Sequence, residues 1–224
     1  MFNSIHLTSF VNSGGKMKGL FAVAILLLSF GFVFGQGFSV GANAGLNYDM
    51  MNPDVEGMDT WTGIGFGGGL VFDIDIMPTI GAEVDVQYAM YKYSSSIDEG
   101  GTTYDFSNTI NNLVVPVLFK YTMAMPAVSP YFVLGPSLIY GMSGTYKVTG
   151  HGVDISEDVP DSLLETDFGI QVGVGADLGM VAPINISPYF RFQYNLTADD
   201  GDTPDNSESA YDLLFGVNFT YRIK

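Results

Sequence analysis

Beyond Gln36 the chain alternates apolar residues with small or polar ones at period two. At that spacing successive side chains of a strand point to opposite sides. Phe38, Val40, Ala42, Ala44, Leu46 and Tyr48 share one side of a first strand, and Ser39, Gly41, Asn43, Gly45, Asn47 and Asp49 the other. A second sets Ile64, Phe66, Leu70, Phe72 and Ile74 against Gly63, Gly65, Gly67, Gly69, Asp73 and Asp75. A third sets Ile80, Ala82, Val84, Val86, Tyr88 and Met90 against Gly81, Glu83, Asp85 and Gln87. The scheme recurs over 113–121, 132–140, 168–178, 190–196 and 213–223, which makes eight strands.

The connections alternate as well. Short ones fall near 76–78, 124–129 and 181–187, and long polar ones near 50–61, 94–108, 143–164 and 198–209. An even strand count with short turns at one end and long loops at the other predicts an all-β, eight-stranded, antiparallel up-and-down transmembrane β-barrel. Both termini would be periplasmic and the four long loops outside. Pro116 and Pro136 fall inside strands. A closed barrel has no edge to hold them, so each predicts a bulge or a local loss of pairing.

Periodicity alone does not say which side faces out. A soluble lipocalin-like barrel would turn the apolar side inward. Composition favours the membrane. Hydrophobic residues make up 47% of the chain and charged ones only 14%, where a soluble domain carries roughly 25%. Apart from Lys92, the apolar sides carry no charge, as a lipid-facing wall requires. The polar sides are rich in glycine, which suits the narrow interior of eight strands. Tyr48, Tyr121, Tyr140 and Tyr221 fall near strand ends, where interfacial girdles belong.

The N-terminal segment fits export. Met17-Lys18 opens a positive region, Leu20 to Phe34 is apolar, and Val33-Phe34-Gly35 offers a small-residue cleavage site. Residues 17–35 therefore read as a signal peptide, 1–16 as an over-called start, and 36–224 as the barrel domain. The chain has no cysteine, so a disulfide framework and thiolate chemistry are excluded. Its net charge is −16, and without Lys16 and Lys18 six basic residues face 24 acidic ones. Such a surface does not bind a phosphate backbone, so nucleic acid is not a partner.

The run Asn111-Asn112-Leu113-Val114-Val115-Pro116-Val117-Leu118-Phe119-Lys120-Tyr121 resembles the fourth strand of the PorT-like outer-membrane β-barrels. Pro130-Tyr131-Phe132-Val133-Leu134-Gly135-Pro136-Ser137 is similar to that family's fifth strand, and Asp167–Gly175 to its sixth. Tyr194-Asn195-Leu196-Thr197-Ala198 departs from the family's seventh strand by lacking a glycine. The resemblance implies the fold and an outer-membrane location in a Gram-negative envelope; it implies no reaction.

Candidate chemistry lies in two places. On the polar sides, Asp73, Asp75, Glu83, Asp85, Lys120, Asp177, Arg191 and Arg222 should all project into the periplasmic half of the lumen. Buried charges must be paired or wet, so an interior charge network that plugs the barrel is expected. A narrow channel or transporter is the functional alternative. In the fourth loop, Asp199, Asp200, Asp202 and Asp205 cluster hard oxygen ligands suited to a weak Ca²⁺ site. No other cofactor is implied. The third loop is acidic at Asp154, Glu157, Asp158, Asp161 and Glu165. His151 stands alone at its tip, with no Gly-x-Ser-x-Gly or paired-histidine motif to make an enzyme. The expected role is structural or interactive: envelope integrity, adhesion, or binding an extracellular protein through the loops. Further expected partners are outer-membrane lipid and lipopolysaccharide, and the barrel-assembly machinery.

Overall fold

The computed structural model describes residues 37–52, 60–99, 101–160, 164, 166–179, 184–197 and 209–223. They form nine strands: β1 (Gly37–Asn52), β2 (Trp61–Met77), β3 (Ile80–Glu99), β4 (Thr102–Thr122), β5 (Ser129–Gly150), β6 (Val153–Asp158), β7 (Thr166–Asp177), β8 (Ile184–Asn195) and β9 (Ser209–Arg222). Each pairs antiparallel with its neighbour, β1 also pairs with β9, and β4 with β5. Eight strands thus close into a barrel. β6 is the exception: it adds to the outer half of β5 at 145–150, while β7 pairs the inner half at 129–140.

The apolar side faces outward. Leu46, Ile64, Phe66, Leu70, Phe119, Phe132, Phe215 and Phe219 are exposed, while Asn43, Asn47, Glu83, Asp85, Gln171, Arg191, Gln193 and Asn218 are buried. The chain is therefore not a barrel with an apolar interior. Tyr48 and Tyr140 are exposed toward one rim and Tyr121 and Tyr221 toward the other. The N-terminal end of β1 and the C-terminal end of β9 share a rim with the β2–β3 and β4–β5 turns.

Both prolines interrupt the ladder without a bulge. Between β3 and β4, pairing lapses from Val84↔Val117 to Gln87↔Val114, across Pro116. Between β4 and β5 it lapses from Pro116↔Ser137 to Phe119↔Leu134, across Pro136. The register is unchanged on either side. Proline cannot donate to the ladder, and the two gaps flank β4 on either side, which confines the loss to one neighbourhood of the wall. The register shifts lie elsewhere: one falls between Asp75 and Met77 beside the β2–β3 turn, and Asn111↔Ser143 and Asn112↔Gly141 leave Met142 as an extra residue.

Two of the expected loops are strands. The segments 94–108 and 143–158 continue β3, β4 and β5 beyond the girdle and add β6. They form a four-stranded antiparallel sheet standing outside the membrane. His151 (φ 44°) and Gly152 (φ 81°) are its two-residue tip between β5 and β6. A type I′ hairpin turn needs positive φ at both central positions, which glycine and, less readily, histidine tolerate. His151 is a turn residue.

Candidate functional site

The barrel interior is filled in layers. At the periplasmic mouth a cavity of 570 Å³ is lined by Asp73, Asp75, Lys120, Asp177, Asn185 and Arg222, among others. Arg222 Nη2 lies 2.9 Å from Asp75 Oδ2, both half exposed at the rim. Deeper, Lys120 Nζ stands 2.6 Å from Asp73 Oδ2 and 3.7 Å from both Glu83 Oε2 and Asp177 Oδ2. Glu83 also accepts from Arg191 Nη2, whose other nitrogen, Nη1, lies 2.8 Å from Asp85 Oδ2. Glu83 therefore joins the two interior cations into one network.

Aromatic rings complete this layer. Lys120 Nζ sits 4.3 Å from the Tyr131 ring centre and the Arg191 guanidinium 4.2 Å from that of Tyr189. A cation over a ring face gains electrostatic attraction that strengthens on burial. Leu118, Tyr131 and Val133 pack together here, with Tyr189 against them. Of the eight charged residues expected inside, six converge on one buried network, and Asp75 and Arg222 pair apart from it at the mouth.

A second polar layer lies toward the outside, and the strand pattern alone did not single it out. Gln193 Oε1 accepts from Gln171 Nε2 at 2.7 Å, and its Nε2 donates to Asp212 Oδ2 at 2.9 Å and Tyr91 Oη at 3.1 Å. Asp49 accepts from Asn47 Nδ2 at 2.5 Å and from the Lys92 backbone N–H at 2.8 Å. Asp49 and Asp212 are wholly buried. Above them Ala89, Tyr91, Tyr93, Val114 and Ile139 close the lumen, packed against Met51 and Trp61. The available signal was parity. Tyr91 and Tyr93 are odd-numbered like Glu83 and Asp85 and point inward with them, although their side chains are aromatic.

The sheet beyond the membrane has two unlike faces. Ile97, Tyr104, Phe106, Tyr146, Val148, Val153 and Ile155 share one, set by the pairs Ile97↔Tyr104, Phe106↔Val148 and Val148↔Ile155. This face continues the inward side of the barrel, and Trp61 stacks near Phe106 with ring centres 6.4 Å apart. The other face carries Ser94, Ser96, Asp98, Thr103, Asp105, Ser107, Thr145, Lys147, Asp154 and Asp158. There Ser96 Oγ donates to Asp105 at 2.7 Å and Lys147 lies 3.4 Å from Asp154. The acidic residues Asp161, Glu165, Asp199, Asp200, Asp202 and Asp205, and the 17–35 segment, lie outside the described residues. Among the described residues no group of three or more acidic or histidine side chains could hold a metal.

A family model described as an outer membrane protein β-barrel domain matches residues 34–198. No curated protein matches. Among solved structures, the outer membrane protein OprG from Pseudomonas aeruginosa is 12% identical, with a TM-score of 0.47 over 84% of this chain and 97% of that one. A major outer membrane protein from Thermus thermophilus is 15% identical, with a TM-score of 0.46 over 80% and 99%. Neisserial surface protein A is 17% identical, with a TM-score of 0.40 over 81% and 95%.

Proposed function

The chain belongs to the outer membrane protein β-barrel domain family, and on that premise we propose that it is a closed, non-catalytic surface protein that binds a partner through its β3–β6 sheet. The observation that carries this reading is the sheet itself. It extends well past the girdle, and its Ile97–Phe106–Val148–Ile155 face offers apolar surface where lipid does not reach. A wall that only sealed the membrane would need no such extension. The layered interior agrees: eight strands leave a lumen that side chains fill, and here ion pairs and aromatic packing occupy it.

Within the family, the proline-bearing fourth and fifth strands support a PorT-like assignment, and the 17–35 segment supports export through a cleaved signal. Assembly would then pass through the barrel-assembly machinery, with lipopolysaccharide around the exposed rim. A narrow channel is the second reading, favoured by the 570 Å³ periplasmic vestibule. The test has two arms. Replacing 95–105 and 146–156 by tight turns should leave the heat-dependent gel shift of a closed barrel intact and abolish adhesion of cells displaying the protein. Unchanged adhesion would overturn the reading. Stepwise conductance of the intact protein in planar bilayers would favour the channel instead.

A further inference from the structure

Among the described residues, the sheet outside the membrane ends in an open edge. Every residue of β6 (Val153–Asp158) is exposed. Its one partner among the described strands is β5, through Thr145↔Asp158 to Gly150↔Val153. Natural sheets blunt such edges with proline, bulges or charged side chains, lysine above all, because unpaired N–H and C=O groups template another strand. β6 has no proline, bulge or lysine, and its three charges are all negative, which repels an acidic strand and admits a basic one. Its polar side carries Asp154 and Asp158, and its apolar side Val153 and Ile155 with Glu157 beyond them. Lys147, opposite Ser156 on β5, is the only nearby cation of the described sheet and lies 3.4 Å from Asp154.

These features select the occupant. A second copy related by a twofold pairs residues of the same side, and the register over 154–158 sets Asp154 against Asp158; like charges directly opposite destabilise a strand pair. A basic segment meets no such conflict. We infer that β6 is a strand-addition site for an extended polypeptide with lysine or arginine opposite Asp154 and Asp158 and apolar residues opposite Val153 and Ile155. The backbone ladder supplies affinity and the alternate side chains specificity. Screening by salt should weaken the charge component. The inference rests on the surface-binding reading above and names the chemistry of its partner.

The test uses the intact barrel in detergent and synthetic peptides alternating lysine with valine, read by fluorescence anisotropy. The lysine–valine peptide should bind and its glutamate–valine counterpart should not. N-methylation along one edge of the peptide should remove binding, since that edge can no longer join the ladder. Reversing Asp154→Lys together with Asp158→Lys should swap the preference between the two peptides. Ile155→Pro should weaken binding by roughly tenfold or more by spoiling the edge, with the gel shift confirming a closed barrel. Equal binding of N-methylated and plain peptides, or no swap on charge reversal, would overturn the inference. Loss of adhesion on trimming the hairpins, combined with no peptide binding, would sink the strand-addition site while leaving the surface reading in place.

Discussion

Arg191 and Glu83 pair across the full width of the barrel, from strands β8 and β3 that stand four places apart in a ring of eight. Both side chains are shielded from solvent, at 1% and 0% exposure. The pair is thus a strut between opposite walls.

Removing one end of that strut should be costly. Arg191→Met leaves Asp85 buried without its cation and Glu83 with only Lys120 at 3.7 Å, and breaking a buried pair in this way destabilises by about 3–5 kcal/mol. The expected outcome is a lower urea midpoint for unfolding from lipid vesicles. Adding Glu83→Gln and Asp85→Asn should recover much of the loss, because the charges that remain, Lys120 with Asp73 and Asp177, are still paired. A single substitution without effect would mean that water reaches the site.

The outer wall gives a second, depth-dependent test. Leu70 lies midway along β2, opposite Ala42, with its side chain exposed. Leu70→Arg would place a cation near the bilayer midplane, at a cost of about 2–4 kcal/mol. Tyr221 is equally outward but sits at the periplasmic rim, opposite Val40 and Ile184. Tyr221→Arg should cost no more than about 1 kcal/mol, since the penalty falls toward the interface. Equal penalties measured in the same vesicles would refute this placement of the wall.

Much of this was legible in the sequence. Period-two alternation identified eight wall strands and the inward set around Lys120 and Arg191, because lipid tolerates no ambiguity about which side is apolar. The upper sheet was harder to read, for two physical reasons. Met142 is a bulge, so β5 faces inward with odd residues up to Gly141 and with even residues from Gly144 onward. A fixed period loses the strand there. Ser94, Ser96, Thr103, Ser107 and Thr145 also form a solvated face, and serine and threonine in number read as loop. Contacts across the lumen, such as Gln193 with Tyr91, depend on how the strands stagger on closure, which local pattern does not encode.

Glycine on the inner wall makes a third prediction. A Cβ at Gly175 would collide with the Tyr131 ring and lie 2.8 Å from Pro188 O. Tyr131 in turn backs Lys120. Gly175→Ala should therefore cost about 1–3 kcal/mol by overpacking and disturb the lower ionic layer with it. At Gly67 the nearest atom to an added Cβ is Tyr88 O at 3.1 Å, with the next two at 3.5 and 3.6 Å. Gly67→Ala is expected to be milder, and the difference between the two midpoints is the measurement.

The last prediction has the opposite sign. Asp49 and Asp212 are directly opposed on β1 and β9, fully buried, and within hydrogen-bond reach of each other. No cation of the described residues is paired with either one. Two ionised carboxylates offer acceptors and no donor, so the contact is satisfied only while one of them carries a proton. Asp212→Asn supplies a donor toward Asp49 and removes one charge, and it keeps an oxygen for Gln193. A satisfied hydrogen bond contributes about 0.5–1.5 kcal/mol net, so at a pH high enough to ionise both carboxylates this variant should unfold at a higher urea concentration than the unaltered protein. Asp212→Ala should fall below it, because Gln193 Nε2 loses its closest acceptor. If Asp212→Asn instead proved destabilising, the pair would be holding a cation between its oxygens, and dialysis against a chelator would then lower the midpoint of the unaltered protein alone.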